Sequence, residues 1–149
     1  MMSMKFLFGK KTAAFALALM LFLVSASSVF AAAVFETEPN DSAVTANTMS
    51  IGDTALGKSS SASDQDTFVF TTGNNSTING VFYPTSTSET TNYVLFIYDG
   101  NTNTYVVSES IPAGTNKNFS FTGTIGHVYY AIIGGDRAST YYYNMLIYQ

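Results

Sequence analysis

From residue 67 onward the chain is cut into short apolar runs, each closed by a turn signal and each too short to make a helix. The runs are Thr67–Thr72, Thr77–Tyr83, Tyr93–Tyr98, Thr104–Ser108, Asn118–Thr122, His127–Ile133 and Tyr141–Tyr148. They are rich in Thr, Tyr, Val, Ile and Phe, the residues that pack well on a pleated, half-buried surface. Gly73-Asn74-Asn75, Asp99-Gly100-Asn101, Pro112-Ala113-Gly114, Gly123 and Gly134-Gly135-Asp136 punctuate them with residues that turn a chain. Strands of this length at this spacing predict an all-β antiparallel sandwich or barrel. After Phe35 only Ser42–Met49 has room for a short helix.

Alternation assigns faces to these strands. In the last one, Asn144 is expected to face water, which turns Tyr142 and Tyr148 outward and Tyr141, Tyr143, Met145 and Ile147 inward. Placing His127 outward likewise puts Tyr129 outward, with Val128, Tyr130 and Ile132 inward. Tyr93–Tyr98 is apolar on both faces and reads as a central strand.

The N-terminus has a different character. Lys5, Lys10 and Lys11 precede an apolar run from Ala13 to Val24, and Ser25-Ala26-Ser27-Ser28 then Val29-Phe30-Ala31-Ala32-Ala33 follow, with small residues at the −3 and −1 spacing a signal peptidase needs. This is the pattern of a secretory signal peptide over residues 1–31, with the mature domain covering 32–149. Cleavage after Ala31 or after Ala33 fits the small-residue rule equally well. The apolar core is short for a ~20-residue membrane span. Export therefore outweighs an anchor, and the mature chain is expected to be secreted with no membrane attachment. Once the leader is gone, three cations (Lys58, Lys117 and Arg137) stand against ten acids. Such a chain has little with which to neutralise phosphate, so nucleic acid is excluded as a partner. With no Cys there is no disulfide, thiolate metal site or Cys nucleophile.

Six of the ten acids (Glu36, Glu38, Asp41, Asp53, Asp64 and Asp66) fall within residues 36–66, opposed only by Lys58. Pro39 pushes Glu38 towards an extended conformation, which sets Glu36 and Glu38 on one side, roughly 7 Å apart. Asn40 and Asp41 add short oxygen ligands, and Asp64-Gln65-Asp66 repeats the same-side pair at the start of a strand. Crowded carboxylates without cations repel unless something positive sits among them. A hard cation taking about six to eight oxygens, calcium, fits this set better than magnesium or zinc. The plainer reading is a solvated acidic tail beside an acidic loop.

These same residues carry a resemblance. Glu36-Thr37-Glu38-Pro39-Asn40-Asp41-Ser42, then Ala43–Met49 in the place of the family's small helical turn, Gly57, Asp64-Gln65-Asp66-Thr67-Phe68 and Phe70, and at the far end Tyr129-Tyr130 and Tyr143-Asn144-Met145-Leu146-Ile147, resemble the bacterial pre-peptidase C-terminal domain. That family includes the collagen-binding domains of clostridial collagenases. The resemblance spans Phe35 to Gln149 and implies a jelly-roll-like β-sandwich. It also implies calcium held by Glu36, Glu38, Asn40 and Asp41 from the linker and by Asp64 and Asp66 from the loop. Family members are often appended to secreted peptidases, whereas here the module directly follows the leader.

Two other motifs lead nowhere. Gly52-Asp53-Thr54-Ala55-Leu56-Gly57-Lys58-Ser59 matches the phosphate-loop pattern, but the mechanism needs a helix starting at Lys58-Ser59. Ser59–Ser63 is a poor helix start and Asp53 repels phosphate, so no nucleotide is expected. His127 is the sole histidine and has no nucleophile-elbow motif to serve, so the protein is expected not to be an enzyme. The expectation is a secreted, calcium-stabilised module that docks on an extracellular polymer or protein, collagen-like or cell-wall material. Tyr129, Tyr142 and Tyr148 are its candidate ligand-binding rings. The alternative is an accessory structural protein, chaperone or inhibitor for a separately encoded secreted peptidase.

Overall fold

The computed structural model describes residues 31–149 apart from Asn75, so the expected leader lies outside the described residues except for Ala31. Ten strands follow in order: β1 (Ala33–Phe35), β2 (Asn47–Thr48), β3 (Thr54–Gly57), β4 (Gln65–Thr71), β5 (Thr77–Pro84), β6 (Tyr93–Asp99), β7 (Thr104–Ile111), β8 (Lys117–Thr122), β9 (Val128–Gly135) and β10 (Tyr143–Tyr148). They form two five-stranded sheets, ordered β1-β3-β10-β5-β8 and β2-β4-β9-β6-β7. Every pairing is antiparallel except β1 with β3 and β2 with β4, where short segments of the N-terminal third lie parallel on the sheets. The protein is an all-β sandwich, and each of the seven predicted runs became a strand.

The core lies between the sheets. Phe68, Phe70, Leu95, Ile97, Tyr129, Ala131 and Ile133 from one sheet meet Ala55, Ile78, Phe82, Tyr143, Met145 and Ile147 from the other. Phe82, Tyr93 and Tyr143 form a ring cluster across the gap, with centroids 5.1 to 5.6 Å apart. Tilted and offset ring pairs of this kind add roughly 0.5–1.5 kcal/mol each beyond the area they bury.

The expected helix over Ser42–Met49 is absent; turns occupy 42–45, and β2 follows. Ser42 explains this, because its carbonyl accepts the Thr45 amide and its hydroxyl bonds the Thr45 hydroxyl, closing a turn that competes with helix. Asn47 is occupied elsewhere, accepting the Thr37 amide and donating to the Thr37 carbonyl. The phosphate-loop pattern also dissolves, since its middle is strand β3 where the mechanism needs loop and helix.

The predicted facing of β9 is reversed. Tyr129 is 1% exposed, packed between a stacked Phe70 ring and a tilted Phe121 ring, and its hydroxyl accepts the Thr124 amide. Val128, Tyr130 and Ile132 take the outer face instead. The error came from treating His127 as a solvent-facing strand residue. It precedes the strand, and its ring turns onto the Asp99 carboxylate at 3.0 Å, so its polarity says nothing about the face. A one-residue slip of this kind exchanges the two faces. The assignment for β10 was right about Tyr142, Tyr143, Met145, Ile147 and Tyr148, but Asn144 is buried rather than wet.

Candidate metal centre

The N-terminal segment reaches its site through ordinary strand pairing. The β1/β3 ladder extends one residue beyond β1, with the Glu36 amide donating to the Leu56 carbonyl at 2.9 Å. This delivers the Glu36 side chain to the end of β3, where its Oε1 accepts the Lys58 amide at 2.8 Å. Gly57 makes the approach possible. A Cβ there would sit 2.5 Å from Glu36 Oε2 and 2.1 Å from the Tyr143 hydroxyl.

From there the chain folds back through a cis Glu38–Pro39 bond, and Glu38 Oε2 accepts the Asn40 amide at 3.1 Å. Asn40 is fully buried. Its carbonyl accepts the Thr67 amide, fixing the linker to β4, and its Nδ2 donates to Asn47 Oδ1 and, weakly, to Asp66 Oδ1. Asp41 Oδ1 accepts the Gln65 amide at 3.2 Å. On the other side, Asp64 caps the preceding loop by accepting the Ser60 amide. Asp66, 2% exposed on β4, accepts the Tyr143 hydroxyl at 2.6 Å. The ring cluster of the core thus ends directly on this carboxylate.

All six residues singled out from the sequence converge here. Glu36, Glu38 and Asp66 bring carboxylate oxygens within 4.8 Å of one another, and so do Glu38, Asp41 and Asp64. Glu38 belongs to both groups. The first group is half-sunk in the domain and the second lies at the surface.

Two oxygens in this cluster are buried and receive no hydrogen bond, Glu36 Oε2 and Asn40 Oδ1; only by holding a proton can the Glu36 carboxyl bond to Asp66. Leaving such acceptors unmatched costs about 1–3 kcal/mol each, and buried polar atoms in native proteins are nearly always satisfied. The electrostatics agree. Burial, reinforced by the adjacent Asp66, pushes the Glu36 carboxyl up to about 9. Burial also raises Asp66 and Glu38, with the neighbouring Asp64 carboxylate adding to both. Without a cation, this site holds a proton where negative charge cannot be accommodated. The donor set is all oxygen, carboxylate and amide, which is the chemistry of a hard cation.

Other acids are differently placed. Glu89 is buried but well served, accepting the Thr90 and Thr91 amides and the Ser139 hydroxyl. Burial alone would raise the Asp99 carboxyl, but the His127 ring and the Asn101 and Thr102 amides outweigh it and hold Asp99 down to about 2. The His127–Asp99 pair therefore ties the start of β9 to the β6–β7 turn. Asp53 sits apart from this acidic cluster, at the edge where β1 meets β3.

Of the three candidate rings, Tyr142 and Tyr148 are 47% and 45% exposed, and Tyr129 is withdrawn because it is core. Tyr142 flanks a cleft lined by Glu36, Glu38, Lys58 and Ser139, next to the acidic cluster. Sequence reasoning missed a larger aromatic surface on the outer face of the other sheet. Tyr105 is 62% exposed; Phe96 and Tyr98 pack against it at 5.5 and 5.2 Å, and Tyr130 continues the row 6.5 Å beyond Tyr98. The signal was Tyr93–Tyr98, apolar on both faces, together with Tyr130 in its correct register.

No protein-family model matches the chain, and no curated protein matches it by sequence. Similar solved structures exist. The pre-peptidase C-terminal domain of a collagenase from Bacillus anthracis aligns with 75% of this chain and 99% of its own, at 13% identity and a TM-score of 0.52. A copper-binding surface protein of Methylomicrobium album BG8 aligns with 79% of this chain and 98% of its own, at 6% identity and 0.45. A mitogen from Yersinia pseudotuberculosis aligns with 62% of this chain and 80% of its own, at 12% and 0.43. At these identities only the first carries weight, and what it establishes is a fold shared with a pre-peptidase C-terminal domain.

Proposed function

We propose that this protein is a secreted, non-catalytic module whose N-terminal linker is clamped to a β-sandwich by calcium and whose exposed aromatic rings dock on an extracellular polymer. The convergence of Glu36, Glu38, Asn40, Asp41, Asp64 and Asp66 around two unpartnered buried oxygens carries the calcium part. Glu36, Glu38, Asn40 and Asp66 would hold the more buried ion, and Asp41, Asp64 and the shared Glu38 an outer one. Calcium supplies positive charge here and no chemistry on a substrate. The clamp joins the linker to Asp66, and through the Tyr143 hydroxyl to the core.

The docking surface of this reading is the row Phe96, Tyr98, Tyr105 and Tyr130. They are flat ring faces, three of them with a hydroxyl edge, on the neighbouring strands β7, β6 and β9, with Ser108 and Ser110 further along β7. Tyrosine provides contact area at small entropic cost, which suits repeated weak contacts along a polymer. Tyr142 and Tyr148 lie on the opposite sheet, six residues apart and so roughly 20 Å along the strand, too far to grip one small ligand together.

Retention of the protein on insoluble collagen, peptidoglycan and chitin tests this reading. At least one polymer should retain it, and Tyr105→Ala should weaken retention several-fold while stability moves by less than about 0.5 kcal/mol. Retention by none of the three, or equal retention of Tyr105→Ala, would remove the aromatic row as a docking face.

A further inference from the structure

The bond preceding Ala32 lies at an unusual place in this fold. The Ala32 amide nitrogen is 2.9 Å from Asp53 Oδ1, and the other oxygen of Asp53 accepts the Ser50 amide at 2.8 Å. The Ala32 carbonyl accepts the Thr54 amide at 2.8 Å, and Ala33, Val34 and Phe35 then pair in register with Thr54, Ala55 and Leu56. Ala32 is thus the first residue the sandwich holds. The contact between a neutral amide and a carboxylate at this boundary is only half of what the geometry offers.

We infer that the leader is removed at the Ala31–Ala32 bond and that the α-ammonium so created forms an ion pair with Asp53, pinning β1 to β3. This rests on the secretion reading above and deepens it, since the leader itself leaves Ala31 and Ala33 equally suitable. The step is a hydrolysis by a signal-peptidase-type endopeptidase. The Ala31 C–N bond breaks, water gives its hydroxyl to the Ala31 carbonyl and a hydrogen to the Ala32 nitrogen, and the amine takes up a proton at neutral pH. An α-amino group has its ordinary value near 7.7–8.0, so most of it is charged there even before Asp53 favours the ion. Charge-assisted hydrogen bonds are about twice as strong as neutral ones.

Cleavage after Ala33 gives a poorer protein. It deletes the Thr54–Ala32 hydrogen bond and the Ala33–Thr54 pairing. It also removes the Ala32 donor from Asp53 Oδ1, leaving Asp53 only the Ser50 amide, and puts the new charge on Val34, which is half-buried against the core. The cut itself precedes folding of β1, because a peptidase needs an extended substrate. The sequence therefore has reason to be cut where the fold can use the product.

Intact mass and N-terminal sequencing of the full chain after export from a bacterial host test the assignment. The inference expects a mature chain beginning Ala32-Ala33-Val34. A chain beginning at Val34, or at any other residue, overturns the inference while leaving secretion standing. An exported pool that keeps its leader overturns the secretion reading and this inference with it. The ion pair is read separately by thermal unfolding of chains beginning at Ala32, with the α-amino group free or acetylated. Asp53→Asn should lower the melting temperature by about 2 °C more in the free form than in the acetylated form. Equal shifts in the two forms would overturn the pairing.

Discussion

Replacing Gly57 by Ala is expected to destabilise the domain by about 1–3 kcal/mol, the usual cost of overpacking, and to abolish its response to calcium. The added carbon would lie 2.1 Å from the Tyr143 hydroxyl and 2.5 Å from Glu36 Oε2. A flexible side chain could move away, but Tyr143 cannot. It is fully buried, packed against Phe82 and Tyr93, and its hydroxyl is held by Asp66. The strain therefore falls on the core and on the carboxylate pair at once. Thermal unfolding of the variant with calcium and with chelator measures both effects. A variant that melts like the parent and still gains stability from calcium would show that the linker does not pass over Gly57 as described.

Glu36→Gln should have opposite effects with and without the cation. In the metal-free protein the folded state holds the Glu36 proton up to about 9, because of burial and then Asp66, whereas the unfolded chain releases it near its ordinary 4.5. Between those values the folded state binds more protons, so metal-free stability falls as pH rises through this window. Glu38 and Asp66 are shifted in the same direction and steepen the fall. Gln cannot ionise, so the variant in chelator should show a flatter pH dependence and match or exceed the parent at pH 8. In calcium the order reverses, because the variant has lost a ligand. In the parent, the gap between calcium and chelator melting temperatures should widen from pH 5 to pH 9, as the ion displaces a proton. A gap that narrows with rising pH would contradict the carboxylate ligation.

The sequence made the long strands legible and left the short ones hidden, for a physical reason. Strands β4 to β10 run six to eight residues, long enough to show β-forming residues between turn signals. The two to four residues of β1, β2 and β3 are too few for a pattern to be read from the sequence. They exist because neighbouring sheets offer them edges, and that is a tertiary fact. The six proposed oxygen ligands were readable as a cluster because their spacing and their lack of cations are local properties. Gly57, Tyr143 and Asn47 complete the site from three other strands; the first two were visible only as part of the family resemblance, and Asn47 gave no local sign. Tyr129 was misplaced because a long-range bond to Asp99 holds His127, so the histidine's polarity gave no guide to the face of β9.

The central claim is that calcium joins the linker to the sandwich, and thermal unfolding in calcium against chelator tests it most directly. If folded protein binds calcium and unfolded chain does not, a hundredfold excess over the Kd adds about 2.7 kcal/mol, enough to raise the melting temperature by several degrees. Magnesium at equal concentration should restore less, since it demands a tighter octahedron and sheds its water reluctantly. Superimposable melting curves in calcium and in chelator would contradict the claim and leave Glu36 to Asp66 an acidic cluster that holds protons.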